Sequence, residues 1–209
     1  MRTRAMVKSR WILLWAAVFV AAVFADVAVA TWAHNTNPAA FTGPLRDVFW
    51  WLGKAHSTFV VAVVLLVWHR WHWRAALVLA IAVAAAGLAC FIAKWMVGRT
   101  RPFKGEPPFA FHPFIDGLPG MVRHPNLAFP SGHACLAFAT ATCLAQLLPR
   151  SWKTTLFVIA ALVSAFRLLE SAHYPSDIVA GALLGVVTAT LVMSGCRKKG
   201  IIPAIEETV

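Results

Sequence analysis

Three short groups of residues between positions 94 and 177 combine positive charge with two histidines and a carboxylate. They are Lys94-x6-Arg101-Pro102, Pro130-Ser131-Gly132-His133 and Arg167-x5-His173-x3-Asp177. Lysine and arginine neutralise phosphoryl oxygens, and a histidine can attack phosphorus or carry a proton near neutral pH. If they meet in one place, these residues predict phosphoryl transfer with no metal ion and no cofactor.

The first two groups are suited to binding an anion. In a helix, a spacing of seven residues puts Lys94 and Arg101 on one face, and Pro102 ends that helix. Taken alone, this pair is better explained as two snorkelling interfacial charges. Ser131 is a suitable N-cap, and Gly132 lets a ligand approach the free amides and the positive end of the helix dipole.

The histidines and the third group supply the reactive atoms. Arg167 interrupts an apolar run, and an arginine inside a membrane needs a partner. Asp177 follows His173 by four residues, so it can hold one imidazole nitrogen and leave the other free to attack. We assign His173 as nucleophile, His133 as general acid and then base, and Asp177 as the residue that orients His173. The predicted phosphate ligands are Lys94, Arg101, Arg167 and the amides of Ser131 and Gly132.

The elements that must position these groups are apolar segments. Hydrophobic residues make up 60% of the 209 residues, charged residues only 13%, and the mean hydropathy is +0.70, which excludes an ordinary soluble domain. Segments long enough to cross a bilayer occur at about 11–33, 48–68, 75–97, 131–149, 154–172 and 175–196. We predict an all-α membrane protein with six transmembrane helices and a helical-bundle core, forming one domain over 1–209 with its motif-bearing core at about 75–196.

Charge distribution predicts the topology. The net charge of +11 could suit nucleic acid or a membrane surface, but most basic residues lie in short connections between apolar runs, which favours the membrane. With basic connections inside, both termini are cytoplasmic and all three groups share the extracytoplasmic face of the cell inner or plasma membrane. The long connection at roughly 98–130 breaks that rule, which an anionic ligand would explain; its outward cations are Arg99, Arg101, Lys104 and Arg123.

The ordered set K-x6-RP, PSGH and R-x5-H-x3-D resembles the type 2 phosphatidic acid phosphatase superfamily, which includes bacterial acid phosphatases and vanadium haloperoxidases. The motifs cover residues 94–177, and the six-span plan extends the resemblance to nearly the whole chain. The resemblance implies a phosphohistidine mechanism and the same roles for the eight site residues. One departure is Phe166, where the family usually has a serine that contacts phosphate; Ser164 would point elsewhere on the helix.

Several other residues receive weaker interpretations. We interpret Asp26, in the first span, as a snorkelling or locally hydrogen-bonded residue outside the site. Glu170 is expected to pair with Arg167 or a loop cation. The pattern Ala28-Val29-Ala30 leaves a cleaved signal peptide as an alternative to the first span. The four cysteines should be small apolar residues, and three loop residues could contact a headgroup: His112, Arg123 and His124.

We predict a membrane lipid phosphatase acting on a phosphomonoester or diphosphate of the phosphatidic acid, phosphatidylglycerophosphate or polyprenyl diphosphate class. A phosphotransferase is a variant of this hypothesis. The alternatives are a vanadium-dependent haloperoxidase-like enzyme and a non-catalytic membrane protein that binds anionic lipid. The expected partners are the lipid phosphate and the membrane, with no nucleic acid; the sequence leaves the lipid and the oligomeric state open.

Overall fold

The computed structural model describes residues 2–36, 43–68, 72–123 and 127–202, and within them the chain is mostly helical, as predicted. The helices are α1 (Arg2–Thr36), α2 (Gly43–Leu52), α3 (Ala55–Trp68), α4 (His72–Val97), α5 (Gly120–Arg123), α6 (Gly132–Leu147), α7 (Trp152–Leu169) and α8 (Pro175–Lys198). A two-stranded hairpin, β1 (Phe114–Ile115) and β2 (Leu118–Pro119), lies in the connection between α4 and α6.

Among the described residues, four helices are long and apolar enough to cross a membrane: α1 from Arg10, α4 from Trp73, α7 and α8. Helices α3 and α6 are apolar but have 14 and 16 residues. At 1.5 Å per residue they reach about 21 and 24 Å, which is less than the roughly 30 Å of a hydrocarbon core. The chain is therefore an integral membrane protein with four helices of spanning length in the described residues, and the six-span count is not confirmed.

The second apolar segment is bent. The sequence predicts one uninterrupted helix over about 48–68, but α2 ends at Leu52 and α3 begins at Ala55, so this prediction is wrong. The Ser57 hydroxyl donates to the Leu52 carbonyl at 2.8 Å. It satisfies a carbonyl that the end of α2 leaves without a helical partner, and so favours the bend.

Helix α6 lies at the centre of the bundle and packs against α4, α7 and α8, while α1 packs on α8, α3 on α4 and α2 on α7. The close approach of α6 and α8 requires two glycines. A Cβ on Gly181 would lie 2.4 Å from the Ser131 carbonyl oxygen, and one on Gly185 would lie 2.2 Å from that of Cys135. Small residues of this kind let helix backbones pack closely in membranes, and here they fix the start of α8 against the start of α6.

The cysteines are all free and buried, which confirms their interpretation as small apolar residues. Two of them also bond weakly to backbone in the core. The Sγ of Cys135 lies 3.4 Å from the Ala86 carbonyl oxygen, and that of Cys90 lies 3.7 Å from the Pro130 carbonyl oxygen. These contacts join α4 to α6 and to the segment that precedes it.

The connection between α4 and α6 is held against the end of α4 by backbone pairing. Gly98 has φ +64°, and a Cβ there would lie 2.2 Å from the His112 carbonyl oxygen, so a glycine is required. The His112 amide donates to the Gly98 carbonyl at 2.9 Å. Antiparallel bridges join Arg99 to Phe111 and Thr100 to Leu127. This pairing brings the chain before Ser131 alongside the end of α4.

Candidate active site

The three residue groups meet at one end of the bundle. Lys94 is in the last turn of α4, Arg167 is near the end of α7, and Asp177 is in the first turn of α8. The Ser131 amide donates to the Asp177 carbonyl at 2.9 Å, which ties the start of α6 to the start of α8. The predicted residues are thus brought together, while the roles assigned to them remain predictions.

The link between α7 and α8 sets the position of His173. Ser171, with φ +50°, ends the α7 turn, and the Ala172 amide donates to the Arg167 carbonyl at 3.1 Å. Pro175 begins α8, as predicted, where its missing N–H costs nothing. The Asp177 carboxylate reaches back to accept from the Tyr174 amide at 2.8 Å. This capping interaction holds the carboxylate beside the imidazole.

His173 is enclosed, with 1% of its side chain exposed, and its Nδ1 lies 3.6 Å from Asp177 Oδ2. That separation exceeds a hydrogen bond, and Nδ1 has no partner among the described residues. Catalytic contacts of this kind often shorten when substrate binds. The geometry places Nδ1 towards the carboxylate, so Nε2 is the nitrogen left for attack.

Burial lowers the pKa of His173 well below its usual value, and the charges of Lys94, Arg101 and Arg167 lower it further. The imidazole is therefore neutral at neutral pH, which is the state in which a nitrogen lone pair can attack.

The cations carry N–H groups that the protein leaves unbonded. Lys94 Nζ donates to the carbonyls of Leu127 at 2.8 Å and Ala128 at 3.2 Å, which leaves one of its three hydrogens. The Nε atoms of Arg101 and Arg167 are buried and have no partner in the described part of the chain. Burial and the nearby Arg167 charge lower the pKa of Arg101. Unbonded donors of like charge in one place form a site for an anion.

Glu170 offsets part of this charge. Arg167 Nη1 donates to Glu170 Oε2, which is the first of the two pairings expected for Glu170. Arg46 Nε of α2 lies 4.0 Å from the other Glu170 oxygen.

The loop residue His112 has its Nε2 3.2 Å from Glu106 Oε2, while His124 and the side chain of Arg123 lie outside the described residues.

The start of α6 differs from the prediction in one donor. The Ser131 side chain caps the helix, accepting from the Ala134 amide at 3.4 Å. The Ser131 amide is not available for phosphate, because it donates to Asp177. The amides of Gly132 and His133 make no hydrogen bond among the described residues, so they are the pair that can face an anion.

The α2–α3 bend covers His133. A Cβ added to Gly53 would lie 2.4 Å from the imidazole Cδ2 of His133 and 2.9 Å from Val163 Cγ1. The Trp50 ring centroid lies 6.4 Å from that of His133, and Lys54 Nζ lies 3.5 Å from the Trp50 centroid. His133 Nε2 is buried and has no partner in the described residues. This cover over His133 was not predicted from the sequence, because residues 48–68 were expected to form one straight helix.

We expect Gly53→Ala to lower phosphate release by about 10- to 100-fold, because the added methyl group must displace the His133 ring. The rate of phosphate release and the thermal unfolding temperature in detergent would both be measured. Gly195→Ala is the matched control, since a Cβ there meets nothing within 4 Å. If Gly53→Ala keeps the parental rate, phosphate release does not depend on the position of the His133 ring, and the prediction is wrong.

Phe166 packs against α2 and does not enter the anion site. Its ring stacks on that of Phe49 with centroids 4.4 Å apart. The Ser164 hydroxyl donates to the Ala160 carbonyl at 2.8 Å and so does not compensate for the missing serine. The position that could supply a hydroxyl to phosphate instead docks α2 on α7.

Asp26 and Arg99 correct two interpretations. Asp26 has a fully buried side chain and accepts from Arg99 Nη2 at 2.7 Å, so it neither snorkels nor bonds locally. Arg99 also donates to Asp177 Oδ1 at 2.8 Å, which means that two carboxylates, and no external anion, compensate its charge. The signal available in the sequence was a carboxylate in the first span together with an arginine placed against the topology rule.

Residues 75–201 match the family model described as the PAP2 superfamily. The chain is 31% identical over 153 residues to a lipid A 4'-phosphatase of Bacteroides thetaiotaomicron. The matched region covers 70% of this chain and 63% of that relative, so the chain spans less than two thirds of the relative's length. It is 28% identical to an undecaprenyl-diphosphatase of Sulfolobus acidocaldarius, over 72% of this chain and 69% of the relative.

Among solved structures, a transmembrane PAP2 type phosphatidylglycerolphosphate phosphatase from Bacillus subtilis is similar in fold. The TM-score is 0.60 at 23% sequence identity, and the similarity covers 100% of both chains.

Proposed function

This chain belongs to the PAP2 superfamily, and we propose that it is an integral-membrane phosphatase that hydrolyses a phosphomonoester or diphosphate of a lipid through a phosphohistidine intermediate. The observation that carries this proposal is the enclosed, neutral His173 beside three cations whose N–H groups are not all bonded. A nucleophile surrounded by donors for phosphoryl oxygens is the arrangement that phosphoryl transfer requires.

The first chemical step is transfer of the phosphoryl group to the protein. Nε2 of His173 attacks phosphorus, the P–N bond forms, and the P–O bond to the lipid breaks. His133, protonated once the negative charge of the bound substrate offsets the cations around it, gives its proton to the departing lipid oxygen. Lys94, Arg101 and Arg167 stabilise the equatorial oxygens throughout, and Asp177 stabilises the positive charge that the imidazole gains.

The second step regenerates the enzyme. His133, now neutral, takes a proton from water as the water oxygen attacks phosphorus. The P–N bond breaks, inorganic phosphate leaves, and His173 is again neutral. The Gly132 and His133 amides and the start of the α6 dipole support the phosphoryl charge in both steps.

The lipid character of the substrate has support from an apolar cavity of about 170 Å³ between α3, α6 and α7. It runs from Leu52 and Val163, beside His133, to Leu144 and Leu156, deeper in the bundle. A hydrocarbon chain attached to the leaving oxygen could occupy it. The names of the relatives, a lipid A phosphatase and an undecaprenyl-diphosphatase, favour the same class of substrate. We place the site on the extracytoplasmic face, from the distribution of basic connections.

A phosphate-release panel in detergent micelles tests the proposal. It would contain phosphatidic acid, phosphatidylglycerophosphate, undecaprenyl diphosphate and lipid A, with a metal chelator present and the His173→Ala protein as the control for contaminating phosphatases. We expect release from at least one lipid. Tight lipid binding without turnover would instead indicate a non-catalytic binder, and halide oxidation that depends on vanadate would indicate a haloperoxidase-like enzyme. Transfer of the phosphoryl group to another lipid would identify a phosphotransferase.

A further inference from the structure

A buried network of charged groups lies behind His173 and includes α1, which is outside the 75–201 region matched by the family model. Arg99 bridges two carboxylates: its Nη2 donates to Asp26 Oδ2 at 2.7 Å and its Nη1 donates to Asp177 Oδ1 at 2.8 Å. The three side chains are 3%, 0% and 0% exposed. Ser176 completes the network, because its hydroxyl donates to Asp26 Oδ2 at 2.6 Å and its amide to Asp26 Oδ1 at 2.9 Å.

The hydrogen bonds show that both carboxyl groups act only as acceptors. Asp26 accepts from a guanidinium, a hydroxyl and an amide; Asp177 accepts from a guanidinium and the Tyr174 amide. An acceptor-only carboxyl group is a carboxylate. Two carboxylates and one guanidinium give this network a net charge of −1. An Arg99–Asp177 pair without Asp26 would be neutral.

The orientation of Asp177 depends on the same network. Arg99 holds Oδ1, and the Arg99 side chain is itself fixed by a 2.7 Å bond from its Nε to the Pro108 carbonyl and by stacking 4.0 Å from the Tyr174 ring centroid. With Oδ1 held, Oδ2 is the oxygen directed at His173 Nδ1. Arg99 therefore sets which oxygen of Asp177 faces the nucleophile. Because Arg99 is shared between Asp26 and Asp177, its positive charge cancels only part of the negative charge of Asp177.

We propose that Asp26 and Arg99 are positioning residues for the phosphoryl transfer, and that Asp26 keeps the network behind His173 anionic. The inference rests on the proposed function, since it concerns the imidazole that becomes positive when it is phosphorylated. Net negative charge behind that ring stabilises the phosphorylated state, and it partly offsets the cations in front. The charged and titratable groups around His173 from each neighbouring element are Lys94 of α4, Arg101 of the connection, His133 of α6, Arg167 of α7 and Asp177 of α8.

The test is Asp26→Asn, which removes one charge and keeps the side-chain shape. At neutral pH we expect kcat to fall about tenfold, with a smaller change in KM. The acid limb, which is the fall of kcat/KM at low pH as His173 becomes protonated, should move to lower pH by about half a unit or more. The reason is that the positive imidazole has lost the stabilisation that the Asp26 charge supplied. A merely loosened site would move that limb in the other direction, towards the ordinary histidine pKa of about 6.5.

The matched control is Asp116→Asn, the same change at an exposed hairpin residue with φ +50°, a conformation that asparagine tolerates. It should keep the parental limb. An unmoved or raised limb in Asp26→Asn would overturn the inference. If the parent releases no phosphate, the proposed function has failed; if the parent is active and Asp26→Asn has the same limb, only this inference has failed.

A second comparison covers the case in which Asp26→Asn does not fold. Asp26→Asn/Arg99→Met replaces the buried Asp26–Arg99 ion pair with neutral groups, which is often tolerated. Asp177 then remains as the one charged group of the network, so the net charge is still −1. The acid limb of the double variant should therefore stay within about 0.3 of a pH unit of the parental limb. A limb that lies about half a unit or more lower would overturn the inference.

Discussion

The His173→Ala protein is expected to release phosphate at least about 10⁴-fold more slowly than the parent, because the substitution removes the nitrogen that attacks phosphorus. The loss should appear in kcat for every lipid that the parent hydrolyses. Initial rates under saturating lipid, with background release subtracted, are the measurement. Because His173 is buried, thermal unfolding must show that the variant is folded.

His56→Ala is the matched control, since it removes an exposed histidine at the start of α3 whose ring lies 5.2 Å from that of Trp51. It should retain the parental rate. A folded His173→Ala protein with more than about a tenth of the parental rate would exclude His173 as the nucleophile.

The His133→Ala protein is expected to lose about 10²- to 10⁴-fold in rate on natural lipids, the usual contribution of a general acid. The loss should depend on the leaving group. An alkoxide needs a proton to depart, whereas a nitrophenolate does not. The test substrate is a nitrophenyl phosphate with an alkyl chain on its ring, which is still a phosphomonoester. The first step on this substrate should slow by less than about tenfold. Rapid-mixing absorbance would record the burst of nitrophenol.

The contrast between the two substrates separates acid catalysis from structural damage. A misfolded or mispositioned site would slow the first step equally on both substrates. If the rate of the first step falls by the same factor on the lipid and on the nitrophenyl ester, the role assigned to His133 is contradicted.

The sequence predicted well those features that depend on neighbours along the chain. The four-residue spacing of His173 and Asp177 and the proline that begins α8 indicated a carboxylate beside the nucleophile, and the structure has that arrangement. Glu170 was expected to pair with Arg167 or with a loop cation, and it pairs with Arg167, three residues before it on the same helix end. Local geometry fixes such contacts, so spacing alone reveals them.

Features that depend on contacts between distant segments were missed. Asp26 and Arg99 are 73 residues apart in sequence, and although each is an unusual charge for its place, no spacing rule joins one to the other. The Ser131 amide appeared free from its cap position, but packing of α8 against α6 gives it the Asp177 carbonyl. The bend at Gly53 depends on a hydroxyl in the following helix, which hydropathy does not reveal.

The lengths of the helices also limited the prediction. Hydropathy marks how far an apolar run extends, but capping ends a helix at particular residues. Ser131 and Leu148 bound α6 to 16 residues, although the apolar segment was predicted over 131–149. Four helices of spanning length are therefore described where six were expected.

The central claim is that the phosphoryl group passes through His173. The most direct measurement mixes the His133→Ala protein with the nitrophenyl ester, quenches it at alkaline pH, at which a P–N bond survives, and maps phosphorylated peptides by mass spectrometry. Without the base for the hydrolytic water, the intermediate should accumulate, and we expect one phosphoryl group per protein, on His173. Steady release of phosphate with no phosphorylated histidine, or with the phosphoryl group on another residue, would contradict the account.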